Sequence, residues 1–275
     1  MTNTGSLVAN NITMTVSSNV QGQLVGLPSY SSDCAALAPS SNTCTITIQA
    51  LSSSSGASGT GTVQGTNTAA PSPVVSIFIL PTCSVLGGAA VTNTGASIIT
   101  GAVCVAPGVS ITGFPPGQTI PTGQIHSNDA IAVAAHTAAN TLYDMISALT
   151  CNNIITTDLA GLSLPPGIYC FNTAAATLAA GGILTLNGSA TDQWYFIIGT
   201  TLTTGASSSV ILTGGAVPGN VYWRIGSSAI FGANTALSGQ IIASTSLTVG
   251  ANVSNSGRLW VQNGAITMDT DIIGP

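Results

Sequence analysis

The chain predicts a mostly β protein built as a stacked solenoid, with one long α-helix beside the stack and a separate small β unit before it. Three observations predict this. A short phrase recurs as Thr203-Thr204-Gly205-Ala206-Ser207, Ile230-Phe231-Gly232-Ala233-Asn234 and Thr248-Val249-Gly250-Ala251-Asn252. Each copy is an apolar-flanked strand running into Gly-Ala and a small polar residue, and self-similarity at a short period marks stacked coils. Apolar strands recur in two parallel series through the C-terminal half. Only one stretch of the chain has helical periodicity.

The composition fits a folded β protein with a neutral surface. At 275 residues the chain is long enough to bury a core. Charged residues make up 3% and hydrophobic ones 45%, so low charge does not here mean disorder. There is no Glu and no Lys, and the only cations besides histidine are Arg224 and Arg258. A net charge of −5 with two strong cations excludes nucleic acid as a partner, because nothing could neutralise a row of phosphates. It also excludes an anionic membrane surface. No apolar run is long enough to span a bilayer, so no membrane insertion is expected. The opening Met1-Thr2-Asn3-Thr4-Gly5 has no basic region followed by an apolar stretch, so it does not read as a secretion signal. Six cysteines fall in three close-set pairs, Cys34 with Cys44, Cys83 with Cys104 and Cys151 with Cys170. Six cysteines allow 15 connectivities, of which proximity favours these three. Six buried free thiols are the alternative. The Ser/Thr-rich, charge-poor surface and the lack of a C-x-x-C pattern favour disulfides and an extracellular or cell-surface location.

Residues 1–76 read as a unit of their own. Asn11-Ile12-Thr13-Met14-Thr15-Val16 and Cys44-Thr45-Ile46-Thr47-Ile48 alternate polar and apolar, as half-buried strands do. A third strand is expected at Gly61-Thr62-Val63-Gln64-Gly65, and the connection to the next unit at 69–76, which contains Pro71 and Pro73. The order Asn3-Thr4-Gly5-Ser6, Asn11-Ile12-Thr13, Cys34, Cys44-Thr45-Ile46-Thr47, Gly65-Thr66-Asn67-Thr68 resembles bacterial surface repeats of the immunoglobulin-like sandwich class. Such repeats begin with a strand before Asn-Thr-Gly-Ser. The chain starts at Met1, which implies a sandwich open at one edge and completed by a strand from elsewhere, if the start is not a trimmed one.

Residues 77–275 form the second unit. Ile77-Phe78-Ile79-Leu80 is a strand, and Gly95-Ala96-Ser97 repeats the coil phrase. Pro107-Gly108 and Gly113-Phe114-Pro115-Pro116-Gly117 punctuate turns. The helix is expected at 128–149. Ser127 or Asn128 caps it, Asp129 suits the dipole of its first turn, and Ile131, Ala135, Ala138, Leu142, Met145 and Leu149 form its apolar stripe. After Cys151 one strand series runs 168–171, 194–198, 221–225, 239–243 and 257–261. A second centres on Leu178, Leu202, Ile230, Leu247 and Ile266. The steps from Ile230 to Leu247 and on to Ile266 make a coil of about 18 residues, or three short strands and three corners.

These phrases carry a second resemblance. Thr92-Asn93-Thr94-Gly95 with Ile99-Thr100-Gly101, Pro107-Gly108 with Ile111-Thr112-Gly113-Phe114, and Leu162-x-Leu164-x-Pro166-Gly167-x-Tyr169 come first. Phe196-Ile197-Ile198-Gly199-x-x-Leu202-Thr203-Thr204, Asn220-Val221-Tyr222-Trp223-x-Ile225-Gly226-Ser227-Ser228-Ala229, Gly239-x-Ile241-x-Ala243 and Gly257-Arg258-Leu259 follow in order. Together they resemble the secreted microbial ice-binding protein family. Trp260-Val261, where small residues are usual, and the cysteines depart from it. The resemblance implies a right-handed parallel β-helix, triangular in section, with one long helix alongside. It also implies binding of ice or ordered water through one flat face rich in Thr, Ser, Ala and Asn.

With Leu202, Ile230, Leu247 and Ile266 pointing inward, the outward rows read Thr201, Ala229, Ser246, Ala265 and Thr203, Phe231, Thr248, Thr267. The candidate ice-binding residues are therefore Thr201, Thr203, Ser246, Thr248 and Thr267, with Phe231 a bulky interruption. Thr also simply favours strands. In this alignment the Gly of each phrase permits the bend and the Ala the close packing.

Nothing points to catalysis, a metal or a cofactor. His126 and His136 lack the i, i+4 spacing of a helical metal pair. The aspartates are scattered, sugar cleavage needs clustered carboxylates, and no Gly-x-Ser-x-Gly elbow is present. Trp194, Trp223 and Trp260 fit the core or the coil corners. The alternative to ice binding is a subunit of an extracellular filament or surface layer, polymerising with copies of itself through the open N-terminal sandwich.

Overall fold

The computed structural model describes residues 83–171 and 175–275 in full. Before residue 83 it describes the backbone of the strands alone. The chain divides into two compact units, Met1–Pro81 and Thr82–Pro275. In the first, Ala57–Gln64 pairs antiparallel with both Thr13–Val16 and Val74–Ile79. Ala9–Asn10 pairs with Ala36–Leu37, and Ser29–Tyr30 with Ile46–Thr47. The sandwich architecture expected there, its open edge and the Cys34–Cys44 pair lie outside the described residues.

The second unit is a parallel β-helix with three faces. The helix face stacks Ile125–Ser127, Ala102–Val105, Cys83–Gly87, the second half of Ser254–Val261, the second half of Ala236–Ala243, Val221–Ile225, Trp194–Ile198, Gly167–Phe171 and Asn153–Ile155. The threonine face stacks Ser110–Thr112, Ala90–Asn93, Ala265–Met268, Ser246–Val249, Ser228–Phe231, Leu202–Thr204 and Ala176–Leu178. The third face runs from Gln118–Ile120 through Ile98–Thr100, Ile272–Gly274 and the first halves of the two long strands to Ser209–Thr213, Ile183–Asn187 and Ser163–Leu164. Those long strands bend from the third face to the helix face. At the bend Gly239 has φ 119, and a Cβ there would sit 2.5 Å from the Val221 carbonyl oxygen.

Stacking order is not chain order. The C-terminal coil, 265–274, lies against the coil at 90–100, near the start of this unit. A buried polar cluster ties this junction. Asp271 N–H donates to Ser97 Oγ at 2.9 Å, Ser97 Oγ–H donates to Asn93 Oδ1 at 2.6 Å, and Asn93 Nδ2 donates to the Gly113 carbonyl at 3.0 Å. The Asp271 carboxylate accepts from Val253 N–H at 2.9 Å and Asp269 N–H at 2.8 Å. Burial, aided by the charge of Asp269, pushes its pKa up to about 6 against those hydrogen bonds.

One continuous core fills the triangle, and residues in register across coils stack there. Tyr169 and Phe196 stack with ring centroids 5.5 Å apart, and Phe196 and Trp223 at 4.0 Å. Trp194 and Trp223 are core residues, whereas Trp260 points out of the triangle beneath the helix and donates from Nε1 to the Cys83 carbonyl at 2.8 Å. Disulfides join Cys83 to Cys104 and Cys151 to Cys170.

Helix α1, Ala130–Ser147, lies on the helix face, packed on Cys83–Gly87, Ala102–Val105, Ile125–Ser127, Trp194–Ile198 and Val221–Ile225. It is shorter at each end than its periodicity predicts. Asn128 turns left-handed (φ 49), so Asp129 is the N-cap, its carboxylate accepting from Ala132 N–H at 2.9 Å. Its buried residues are Ala132, Ala135, Ala138, Ala139, Leu142, Tyr143 and Ile146; Met145, expected in the stripe, is exposed. The small alanines let the helix sit close to the sheet. His136 lies 2.7 Å by Nε2 from the Gln262 carbonyl, and Arg224 stacks over the Tyr143 ring at 4.4 Å and donates to Ser147 Oγ at 2.8 Å. No helix among the described residues is long and apolar enough to cross a membrane.

Candidate ice-binding face

The threonine face carries two outward rows. Strand alternation places inward Ala176, Leu178, Leu202, Thr204, Ala229, Phe231, Leu247, Val249, Ile266 and Met268, all buried. The outward row between them, in stacking order, is Thr112, Thr92, Thr267, Thr248, Ile230, Thr203 and Thr177. Thr92 is half-buried and the others are exposed. The second row, two residues earlier on each strand, is Ser110, Ala90, Ala265, Ser246, Ser228, Thr201 and Ala175. Neither row contains a charge. Stacked strands set rungs about 4.8 Å apart, and alternate residues on one strand lie about 6.7 Å apart, so the face is a two-dimensional grid of methyl and hydroxyl groups.

The five sequence candidates, Thr201, Thr203, Ser246, Thr248 and Thr267, all lie in these two rows. One expectation is overturned. Phe231 and Ala229 do not point outward: they are 1% exposed, and Ile230 between them is 52% exposed. The assumed alignment of Ile230 with Leu202 and Leu247 slipped that strand by one residue, and such a slip exchanges its two faces. Leu178 had slipped by two: Ala176, not Leu178, pairs with Leu202. These slips hide Ile230, Ser228 and Thr177 from the sequence, while Thr92, Thr112 and Ser110 join the rows only through the stacking of the C-terminal coil on the earlier ones.

Local structure makes the grid rigid. At the corners after four of these strands Ser207, Asn234, Asn252 and Thr270 take left-handed backbone, with φ of 59, 59, 58 and 61. The bend is thus made by the polar third residue of the phrase, and the Gly serves the stacking. A Cβ on Gly232 would lie 2.5 Å from Ala206 N in the coil below. The expected assignment of the bend to Gly and the packing to Ala is corrected: the polar residue makes the bend and Gly the close packing, since left-handed backbone is open to Asn as well as Gly. Ser246 Oγ donates to Ser228 Oγ at 2.9 Å, bridging two rungs of the second row. Thr177 Oγ–H donates to Asp158, which closes the row at one end. Burial pushes the Asp158 pKa up, but hydrogen bonds from Thr177, Ala160 and Ala179 outweigh it and hold the carboxyl below its usual value.

A family model described as ice-binding-like matches residues 85–274. The chain belongs to the ice-binding-like family. An ice-binding protein of Nostoc sp. (strain HG1) is 45% identical over 204 residues, covering 71% of this chain and 73% of the relative. The crystal structure of an ice-binding protein from an Antarctic biological consortium matches with TM-score 0.67 and 37% identity, over 70% of this chain and 87% of that one. That of an ice-binding protein from the Antarctic ascomycete Antarctomyces psychrotrophicus matches with TM-score 0.65 and 34% identity, over 70% and 94%. The family explains the triangular helix and α1.

Proposed function

We propose that the protein binds ice through the threonine face and so adsorbs to ice crystals or restrains their recrystallisation. The observation that carries this reading is the row Thr112, Thr92, Thr267, Thr248, Ile230, Thr203 and Thr177, in register over seven strands of a rigid sheet. A single hydroxyl holds a water weakly. A grid of them, spaced by the backbone and carrying no charged residue of its own, holds many waters at once in one layer. α1 covers a different face, so this one stays open. Each relative named above is an ice-binding protein by its own description.

The same reading makes the protein a binder and not an enzyme. It places the protein outside the cell or on its surface, where ice forms and where Cys83–Cys104 and Cys151–Cys170 would persist. Self-association rested on the N-terminal sandwich edge, which lies outside the described residues. None of the relatives named above is described as a filament subunit.

The test is thermal hysteresis and recrystallisation inhibition by the purified full chain and by Thr248→Tyr. Thr248 is exposed at mid-row, so the ring would stand above the plane without disturbing the core. The wild type should be active and the variant should lose at least about four-fifths of that activity, with a melting temperature unchanged, because surface substitutions stay within about 0.5 kcal/mol. Full activity in Thr248→Tyr would remove this face from consideration.

A further inference from the structure

We infer that Ile230 divides the threonine face into two unequal binding patches, and that the larger one spans the junction between the first and last coils of the second unit's sequence. This rests on the reading of the face given above. On one side of Ile230 lie four threonines in register, Thr248, Thr267, Thr92 and Thr112; on the other lie two, Thr203 and Thr177. The larger patch is assembled from coils at 246–268 and coils at 90–112, which meet only because the C-terminal coil stacks on the N-terminal ones.

Ile230 differs from its row neighbours in two ways that matter to a bound water layer. It has no hydroxyl, so it cannot anchor a water between Thr248 and Thr203. It also replaces the Thr hydroxyl with an ethyl group, so its tip stands higher than its neighbours, and at 52% exposure that tip is in solvent. It cannot turn away. Ala229 and Phe231 on either side are 1% exposed and fix the strand's alternation, and Ser228 in the second row is tied to Ser246 at 2.9 Å. The sheet itself cannot flex to lower one rung. A flat crystal plane that seats on the four-threonine patch is therefore held off the two-threonine patch. Two patches that bind together gain far more than either alone, and two that cannot engage together do not.

The experiment uses the full chain as wild type, Ile230→Thr, Thr203→Tyr, Thr267→Tyr and the double variant Ile230→Thr/Thr203→Tyr, with thermal hysteresis read at equal concentration. Thermal melts check that each is folded. In the wild-type background Thr267→Tyr should abolish most activity, whereas Thr203→Tyr should cost less than about twofold. Ile230→Thr should raise activity by about twofold or more, because it joins the patches. Thr203→Tyr in that background should then cancel the whole gain. Ile230→Thr at or below wild-type activity would overturn the division, as would Thr203→Tyr costing as much as Thr267→Tyr, or a purely additive double variant. A harmless Thr267→Tyr would instead defeat the assignment of the face itself, and the division with it.

Discussion

The helix face and the threonine face are built from the same parallel coils, yet their outward rows are opposites. On the helix face the outward positions in register include Leu86, Trp260 and Ile242, all fully buried on the face where α1 packs. On the threonine face the matching positions are Thr, Ser and Ala with one Ile, open to water. The inward rows of both are buried and mostly apolar, so the core does not distinguish them. What distinguishes them is side-chain size on the outside. A solenoid face that will be covered carries bulk outside, and one that stays bare as a flat plane carries short side chains. Trp260 supplies that bulk on the face where α1 packs.

That contrast can be broken at either face. Trp260→Ala should show the largest effect on stability, about 3–5 kcal/mol in chemical denaturation, because it empties a buried site and removes the hydrogen bond to Cys83. Hysteresis per folded molecule should stay near wild type, since the threonine face is elsewhere; loss of both together would mean the two faces are not independent.

The next effect is a pH dependence at the junction that carries the threonine row from Thr267 to Thr92. The Asp271 carboxyl is raised to about 6 by burial, so the native state holds its proton more tightly than the unfolded chain does. Its stabilising contribution is present below the ordinary unfolded value near pH 4 and is lost as pH rises through about 6. Wild-type stability should therefore fall by about 2–3 kcal/mol relative to Asp271→Asn between about pH 4 and pH 7, as read by denaturant midpoints. Parallel profiles for the two proteins would show that Asp271 does not titrate in that window.

The smallest expected effect is at the helix cap. Asp129→Ala removes the acceptor for Ala132 N–H and should cost about 1 kcal/mol. Calorimetry would read this as a small fall in melting temperature with hysteresis unchanged, and a fall in hysteresis would mean that α1 supports the open face as well.

Much of this was legible in the residues. The helix-face strands are where Trp194, Trp223, Ile241 and Leu259 place them, because their alternation is strong and their spacing regular. The threonine face was legible only in part. Leu178 and Ile230 were aligned by hydrophobicity, which is degenerate when both faces of a strand carry apolar side chains. The recurring phrase held a better ruler. Counting two residues back from Gly205, Gly232 and Gly250 gives Thr203, Ile230 and Thr248, the observed row. Thr92 and Thr112 were out of reach for another reason. Nothing local says that the C-terminal coil continues onto the N-terminal ones, since that contact is set by the Asp271, Ser97 and Asn93 cluster and by the path of α1. Which face the helix covers was equally unreadable, because an Ala-rich stripe fits any flat apolar sheet.

The most direct test is partition into growing ice. An ice ball is grown slowly in a solution of the full chain, and the protein in ice and in liquid is measured for the wild type and for Thr248→Tyr/Thr267→Tyr. The wild type should be enriched in the ice and the double variant, still folded, should remain in the liquid. Equal partition of the two proteins would contradict the assignment of ice binding to the threonine face.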